Sequence, residues 1–436
     1  NFNPAAFVDA LFQTHLYTGN GSSQSINNGI NLSGSGGFVW IKDRDGSNPH
    51  VLYDTERGAT KAFFDSTTYK SAESTRSSGL TSFNSNGFSV GSSSAENGSN
   101  NDTVSWTWRK QPKFFDMVKY TGDGTNPRNI AHSLGSVPGM IIIKEINGND
   151  HWTVYHRGVD SSQPYDYYLR INANDARSDG PVFSDTAPTS TQFTVSSYSE
   201  VNQDGEEFIA YLFAHNNSDG GFGEPGDQDI IKCDSYTGNG SNTGSNSVTL
   251  GFEPQLVMIK RTDSSGNWVV VDSMRGMEVN GTGNDAILQW NSNSNESSLA
   301  QSVLEPTSTG FNLRSAGGDF NGNGGTYIYM AIRRGGMQTP TAASSVFAID
   351  SQGSTGDGNA PSFRSNFPVD MAIRLDTSGA SKDISARLTG ATRLYTDLTN
   401  AESSFNNSKW DYQNGWYSST STITNYYAHM WKRARG

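Results

Sequence analysis

Three glycine-rich turns, Tyr17-Thr18-Gly19-Asn20-Gly21-Ser22, Tyr120-Thr121-Gly122-Asp123-Gly124-Thr125 and Tyr236-Thr237-Gly238-Asn239-Gly240-Ser241, have the composition of a phosphate cradle. A phosphate loop also needs Lys-Ser or Lys-Thr at fixed spacing and a helix behind it, and none of the three has them. Hairpin turns in which Gly and Asn accept positive φ explain them more simply. Asp319-Phe320-Asn321-Gly322-Asn323-Gly324 matches the first half of a calcium loop, but Met330 stands where the bidentate carboxylate belongs. Two readings stay open for Asp319 and for Asp43 and Asp45: a loose Ca2+ site in sandwich loops, or polar turns. No other cofactor is implied. The seven histidines show no zinc spacing, no Gly-x-Ser-x-Gly elbow exists, and Cys233 stands alone, so a disulfide within the chain and a Cys-rich zinc site are excluded. Glu206 and Glu207 are adjacent in a strand and face opposite ways, so they cannot work as an acid and base pair.

The elements that must position these residues repeat. Each turn is followed by an apolar strand closed by a lysine, Lys42, Lys144 or Lys260, with Arg374 as a divergent fourth. Arg57-Gly58, Arg157-Gly158 and Arg275-Gly276 trail the lysines, where the fourth copy has Leu388-Thr389-Gly390 and lacks the opening turn. A short strand around Phe88, Phe193, Phe311 or Trp416 comes next, and an aromatic closing strand, such as Val104-Ser105-Trp106-Thr107-Trp108, ends each unit. Solenoid repeats run about 20 to 50 residues. Units roughly twice that long should each carry their own core.

The spacing predicts an N-terminal arm at 1–15 and β-sandwich units at 16–115, 116–231, 232–343 and a divergent 344–436. Alternation within strands and turn-rich composition, with Gly 47 of 436 residues, predict an all-β tandem array of four antiparallel jelly-roll or lectin-like sandwiches. Helix is expected only in short pieces, Pro4–Thr14 and Leu398–Ser404. Trp40, Trp152, Trp268 and Trp410 lie near the apolar strands, either as core or as platforms for stacking sugars. The recurring arginines suit an internal ion pair or a carboxylate reader. A net charge of −12 argues against a nucleic-acid or anionic-membrane partner, and the sequence has neither an apolar window long enough for a bilayer span nor a signal-like start.

The run Tyr211-Leu212-Phe213-Ala214-His215, Gly221-Phe222-Gly223, Ile231-Lys232-Cys233 and the turn and strand after it, with Asp54-Thr55-Glu56-Arg57-Gly58-Ala59-Thr60-Lys61, resembles a repeated domain of tailed-phage virion proteins, familiar from marine and cyanobacterial phages. The resemblance covers about residues 16–335 and weakens after Ala343. It implies an extracellular virion component of tail-fibre, tail-associated or capsid-surface type, with no enzyme activity. Its partners would be other virion subunits and further copies of the chain. The alternative is an adhesin module binding a host surface glycan or receptor, and a glycan depolymerase is the third reading.

Overall fold

The computed structural model describes residues 7–65, 71–224, 226–275, 277, 279, 285–298, 303–335, 339–351, 361–379, 382–390, 392–405, 408–410, 412–418 and 425–433. Residues 4–6 of the first predicted helix, and Gly276, lie outside them. The architecture is all-β. Four six-stranded antiparallel sheets follow one another along the chain, all with one strand order. In the first unit the strands are Phe12–Thr18, Gly37–Asp43, His50–Asp54, Lys61–Asp65, Ser74–Thr75 and the closing strand Asp102–Arg109. The closing strand lies between the first and second, and the others continue from the second as a meander. A smaller sheet of two or three strands covers one face of each large sheet, making a sandwich.

Two expectations of the sequence need correcting at the chain start. Residues 12–15 are not arm: Phe12–Thr18 pairs along its whole length with the closing strand. Of the predicted helix Pro4–Thr14, the described residues form only the 3-10 turn Val8–Ala10 before that strand. Leu398–Ser404 is likewise not helical, and Ser403–Ser404 is the fifth strand of the last sheet.

The largest difference from the sequence reading lies in the cores. In the first unit Val39, Ile41, Val51 and Tyr53 face the small sheet and pack on Ile26 and Phe88. Alternate residues on the other face, Phe38, Trp40, Leu52, Phe63, Trp106 and Trp108, belong to one hydrophobic core that runs on through Tyr211 and Trp152 of the second unit to Trp268 and Trp290 of the third. Units one to three therefore share a core as well as having sandwich interiors. The strands show it: every residue of Gly37–Asp43 and Pro138–Glu145 is buried, as expected for a sheet covered on both faces.

Candidate functional site

The residues with chemical potential converge on the joints among the first three units, and those joints close into a cycle. Glu73 N–H of unit one donates to the Ile146 carbonyl of unit two at 2.8 Å. Arg177 N–H of unit two donates to the Thr262 carbonyl of unit three at 2.9 Å, and Glu296 N–H of unit three donates to the Arg44 carbonyl of unit one at 2.8 Å. Ile146, Thr262 and Arg44 each stand two residues after the repeated lysine. One bond thus recurs three times around a pseudo-threefold arrangement.

Side chains follow the same cycle. His50, Trp152 and Trp268 occupy equivalent places at the start of the third strand. Nε2 of His50 bonds the Gln289 carbonyl at 3.0 Å, Nε1 of Trp268 donates to the Arg170 carbonyl at 2.9 Å, and Trp152 meets the Phe63 ring edge-on at 5.1 Å. Each contact reaches the fourth strand of the neighbouring unit. At the end of the third strand stand Asp54, His156 and Asp272. Tyr211 Oη donates to Asp54 at 2.7 Å, Trp106 Nε1 donates to Asp272 at 3.1 Å, and His156 Nε2 bonds the Tyr329 carbonyl at 3.1 Å.

Arg57 and Arg275 lock these corners. Arg57 Nε donates to Asp54 at 2.6 Å, with further donors to the Leu52 carbonyl at 3.2 Å and to Glu73 at 3.4 Å. Arg275 repeats the pattern on Asp272 at 2.7 Å, the Val270 carbonyl at 3.2 Å and Glu296 at 3.0 Å. Both side chains are buried behind these partners, out of reach of a ligand. Arg157 is not their equivalent. Its backbone N–H bonds the Gly139 carbonyl as those of Thr55 and Ser273 bond Gly37 and Gln255, which aligns it two positions earlier, and its side chain is exposed.

Lys42, Lys144 and Lys260 are buried; the first two serve the turn after their strand, and Lys260 bonds its own strand end and reaches across the seam into unit two. Their ammonium groups donate to the Gly46 carbonyl at 2.9 Å, the Gly148 carbonyl at 2.9 Å, and the Arg261 and Asp175 carbonyls at 2.5 and 2.8 Å. Burial lowers each to about 8, against the pull of nearby carboxylates. Arg374 does not belong with them. It lies on the sandwich-interior face of its sheet, bonding Asp383 at 2.6 Å and Ser418, because the fourth unit is offset by one residue and side chains change face with each step.

The glycine turns hold no vacant donors for an anion. In the first, Gly21 N–H and Asn20 N–H both bond Asn97, through its carbonyl and Oδ1 at 2.9 Å, and Gly19 N–H bonds the Asn101 carbonyl at 2.8 Å. Asn202 and Asn321 clamp the second and third turns in the same way. These buried asparagines escaped the sequence reading. Each stands seven residues before Val104, Ile209 or Ile328 of its closing strand, a spacing that could have revealed them.

The proposed sugar platforms are corrected outright: Trp40, Trp152, Trp268 and Trp410 are all buried, three in the joints and Trp410 against Trp416 in the fourth sandwich. The calcium reading finds the carboxylates already engaged. Asp43 accepts from Asp45 N–H, Gly46 N–H, Asn48 and Asn101. Asp45 accepts from Asp102 N–H at 2.6 Å, and Asp319 accepts from Asn267 at 3.0 and 3.1 Å. These are loop clamps, and among the described residues no group of three His, Cys, Asp or Glu side chains is placed to hold a metal ion.

Histidines give no general base in the joints. His50 accepts from Trp40 Nε1 at 2.8 Å, and burial holds its imidazolium form far below the usual range, while burial takes His156 to about 3. Both are neutral connectors. The Cys233 thiol is pushed up by burial and unreactive. An open cleft of about 320 Å³ at the seam of units two and three is lined by Arg177, Asp263, Ala176, Thr262 and Thr326. Its two charges are already paired, Arg177 with Asp160 at 3.1 Å and Asp263 with Arg261 at 3.0 Å.

The fourth unit docks differently. Glu253, just before the second strand of unit three, pairs with Arg387 and with Arg433 at 2.5 Å, with Arg334 at 3.9 Å. Asp370, just before the second strand of unit four, pairs with Arg334 and accepts from Arg433 N–H at 2.7 Å.

Fold and joints together define a class: an all-β chain of four sandwich units, three of them joined cyclically. The chain belongs to the family described as "Domain of unknown function (DUF7483)", which matches residues 9–334. That span takes in the three cyclic units and ends before the fourth. No curated protein and no solved structure matches the chain. Among the described residues no helix is long and apolar enough to cross a membrane.

Proposed function

We propose that this chain is a non-enzymatic structural component of a phage virion, exposed on tail or capsid and working through assembly and surface contacts. The observation that carries the mechanical part is the consumption of its reactive side chains: Arg57, Arg275, His50, His156 and the three lysines all hold one unit to the next or a turn to its strand. A welded cluster of sandwiches transmits force and keeps its surface loops at fixed separations. Its placement on a virion is supported by the motif resemblance across residues 16–335. The adhesin alternative rested on exposed tryptophans and loses that support with their burial. Mass spectrometry of purified particles, with gold-labelled antibody against the chain in electron microscopy, tests the proposal. Label on tail or capsid is expected; particles free of the chain would overturn it.

A further inference from the structure

Among the described residues, one face of the fourth sheet has no cover. Its strands are Phe347–Ser351, Met371–Asp376, Asp383–Ala386, Thr392–Tyr395, Ser403–Ser404 and the closing Tyr426–Trp431, in the same order as the other three sheets. One face packs on Phe363 and Trp416 of the small sheet through Ala372, Ala428 and Met430. The other carries Ile349, Ile373, Ile384, Leu394, Tyr427 and Trp431, brought side by side by the register: Ile349 opposite His429, His429 opposite Ile373, Ile373 opposite Ile384, and Ile384 opposite Leu394. Ile349 is 57% exposed, Leu394 48% and Tyr427 45%. No Asp, Glu, Lys or Arg interrupts the row. Burial alternates along Met371–Asp376, whereas the second strands of the first two units are buried at every position.

A contiguous apolar surface of this kind on a soluble domain marks an interaction site. Its occupant is indicated by the sister units, where the corresponding face of the same sheet is covered by the same face of two other units, closing a cycle of three. We infer that the open face of the fourth unit is a self-association surface, on which three copies of the chain pack their fourth sheets around a common axis as units one to three pack within each chain. This does not depend on a virion role, and the two readings fail separately.

Sedimentation velocity and light scattering on the full chain test it. The expected mass is three times the 47.2 kDa of one chain. Ile349→Glu and Leu394→Glu should each lower the apparent mass threefold with circular dichroism unchanged, since both side chains already face solvent, while Tyr198→Glu, on an exposed tyrosine of unit two, should leave the mass alone. As a second readout, Ile349→Cys should give cross-linked dimers with a short bis-maleimide and trimers with a short tris-maleimide, the native thiol being buried. A chain that stays monomeric at its highest soluble concentration, a stable dimer, or an assembly indifferent to both glutamate substitutions would overturn the inference.

Discussion

The joints among units one to three and the joint between units three and four solve one problem with opposite chemistry. The first are built of stacked rings and neutral hydrogen bonds: Trp40 lies on Trp290 at 4.3 Å, and Phe38 on Tyr211 at 4.6 Å, with ion pairs only at the corners. The second is an ionic knot of Glu253 and Asp370 among Arg334, Arg387 and Arg433. Burial of rings is hard to undo in part, because the cores of three units are continuous. A charge cluster holds one unit through a few groups and depends on their ionisation. The lesson is a division of labour: a permanent cluster, and an appended unit whose attachment can be loosened without disturbing it.

The sharpest way to break the comparison is Trp290→Ala. It removes a ring that touches both Trp40 and Trp106 across the seam of units one and three, and should cost about 3–5 kcal/mol. In urea, units one to three should lose stability as one transition. Glu253→Gln should cost about 3 kcal/mol by taking from the buried Arg387 its close carboxylate, but the loss should fall on the fourth unit alone. Limited proteolysis would then release a fragment from about the third–fourth junction onwards, the three-unit cluster surviving.

Acid should act similarly. Burial raises Glu253 and Asp370, but the arginines outweigh it and hold both carboxyls below their usual range. Their contribution is full above the unfolded carboxylate range and is lost as pH falls through the depressed folded values.

The smallest expected effect runs the other way. Asp65 is buried with neither carboxylate oxygen hydrogen-bonded, at a place held by Ile171 in unit two and Trp290 in unit three. Burial drives its pKa well up, with Lys144 opposing. Asp65→Ile should therefore stabilise by about 1–3 kcal/mol. Because the folded carboxyl holds its proton to higher pH than the unfolded one, the native side chain costs more as pH rises through that interval. The gain should be larger at pH 7 than at pH 4 in parallel denaturation curves.

Much of this was legible in the chain. The lysine-closed strands, the aromatic closing strands and the turns located three sandwiches, and the all-β class followed from alternation and turn composition. The shared core was not read, because alternation predicts one buried face and is silent about the other. The signal is present in Ile141-Ile142-Ile143, a run apolar on both sides. Arg157-Gly158 shares its residue types with Arg57-Gly58, but it stands two residues closer to its lysine, which is the sign that it is no counterpart. In the fourth unit, aligning Arg374 with the lysines by charge alone put it on the wrong face. The chain does carry Thr355-Gly356-Asp357-Gly358 after the first strand of that sheet, outside the described residues, as a counterpart of the opening turn in sequence.

Placing three equivalent units on one chain has a consequence beyond rigidity. Subunits that meet by diffusion separate on dilution, whereas covalently tethered ones face each other at an effective concentration fixed by the linker. Such a cluster keeps its arrangement however scarce the protein is. Encoding the three copies separately also frees each to diverge: His156 can replace an aspartate at one corner while Asp54 and Asp272 remain, an asymmetry that three identical chains could never acquire by a single mutation.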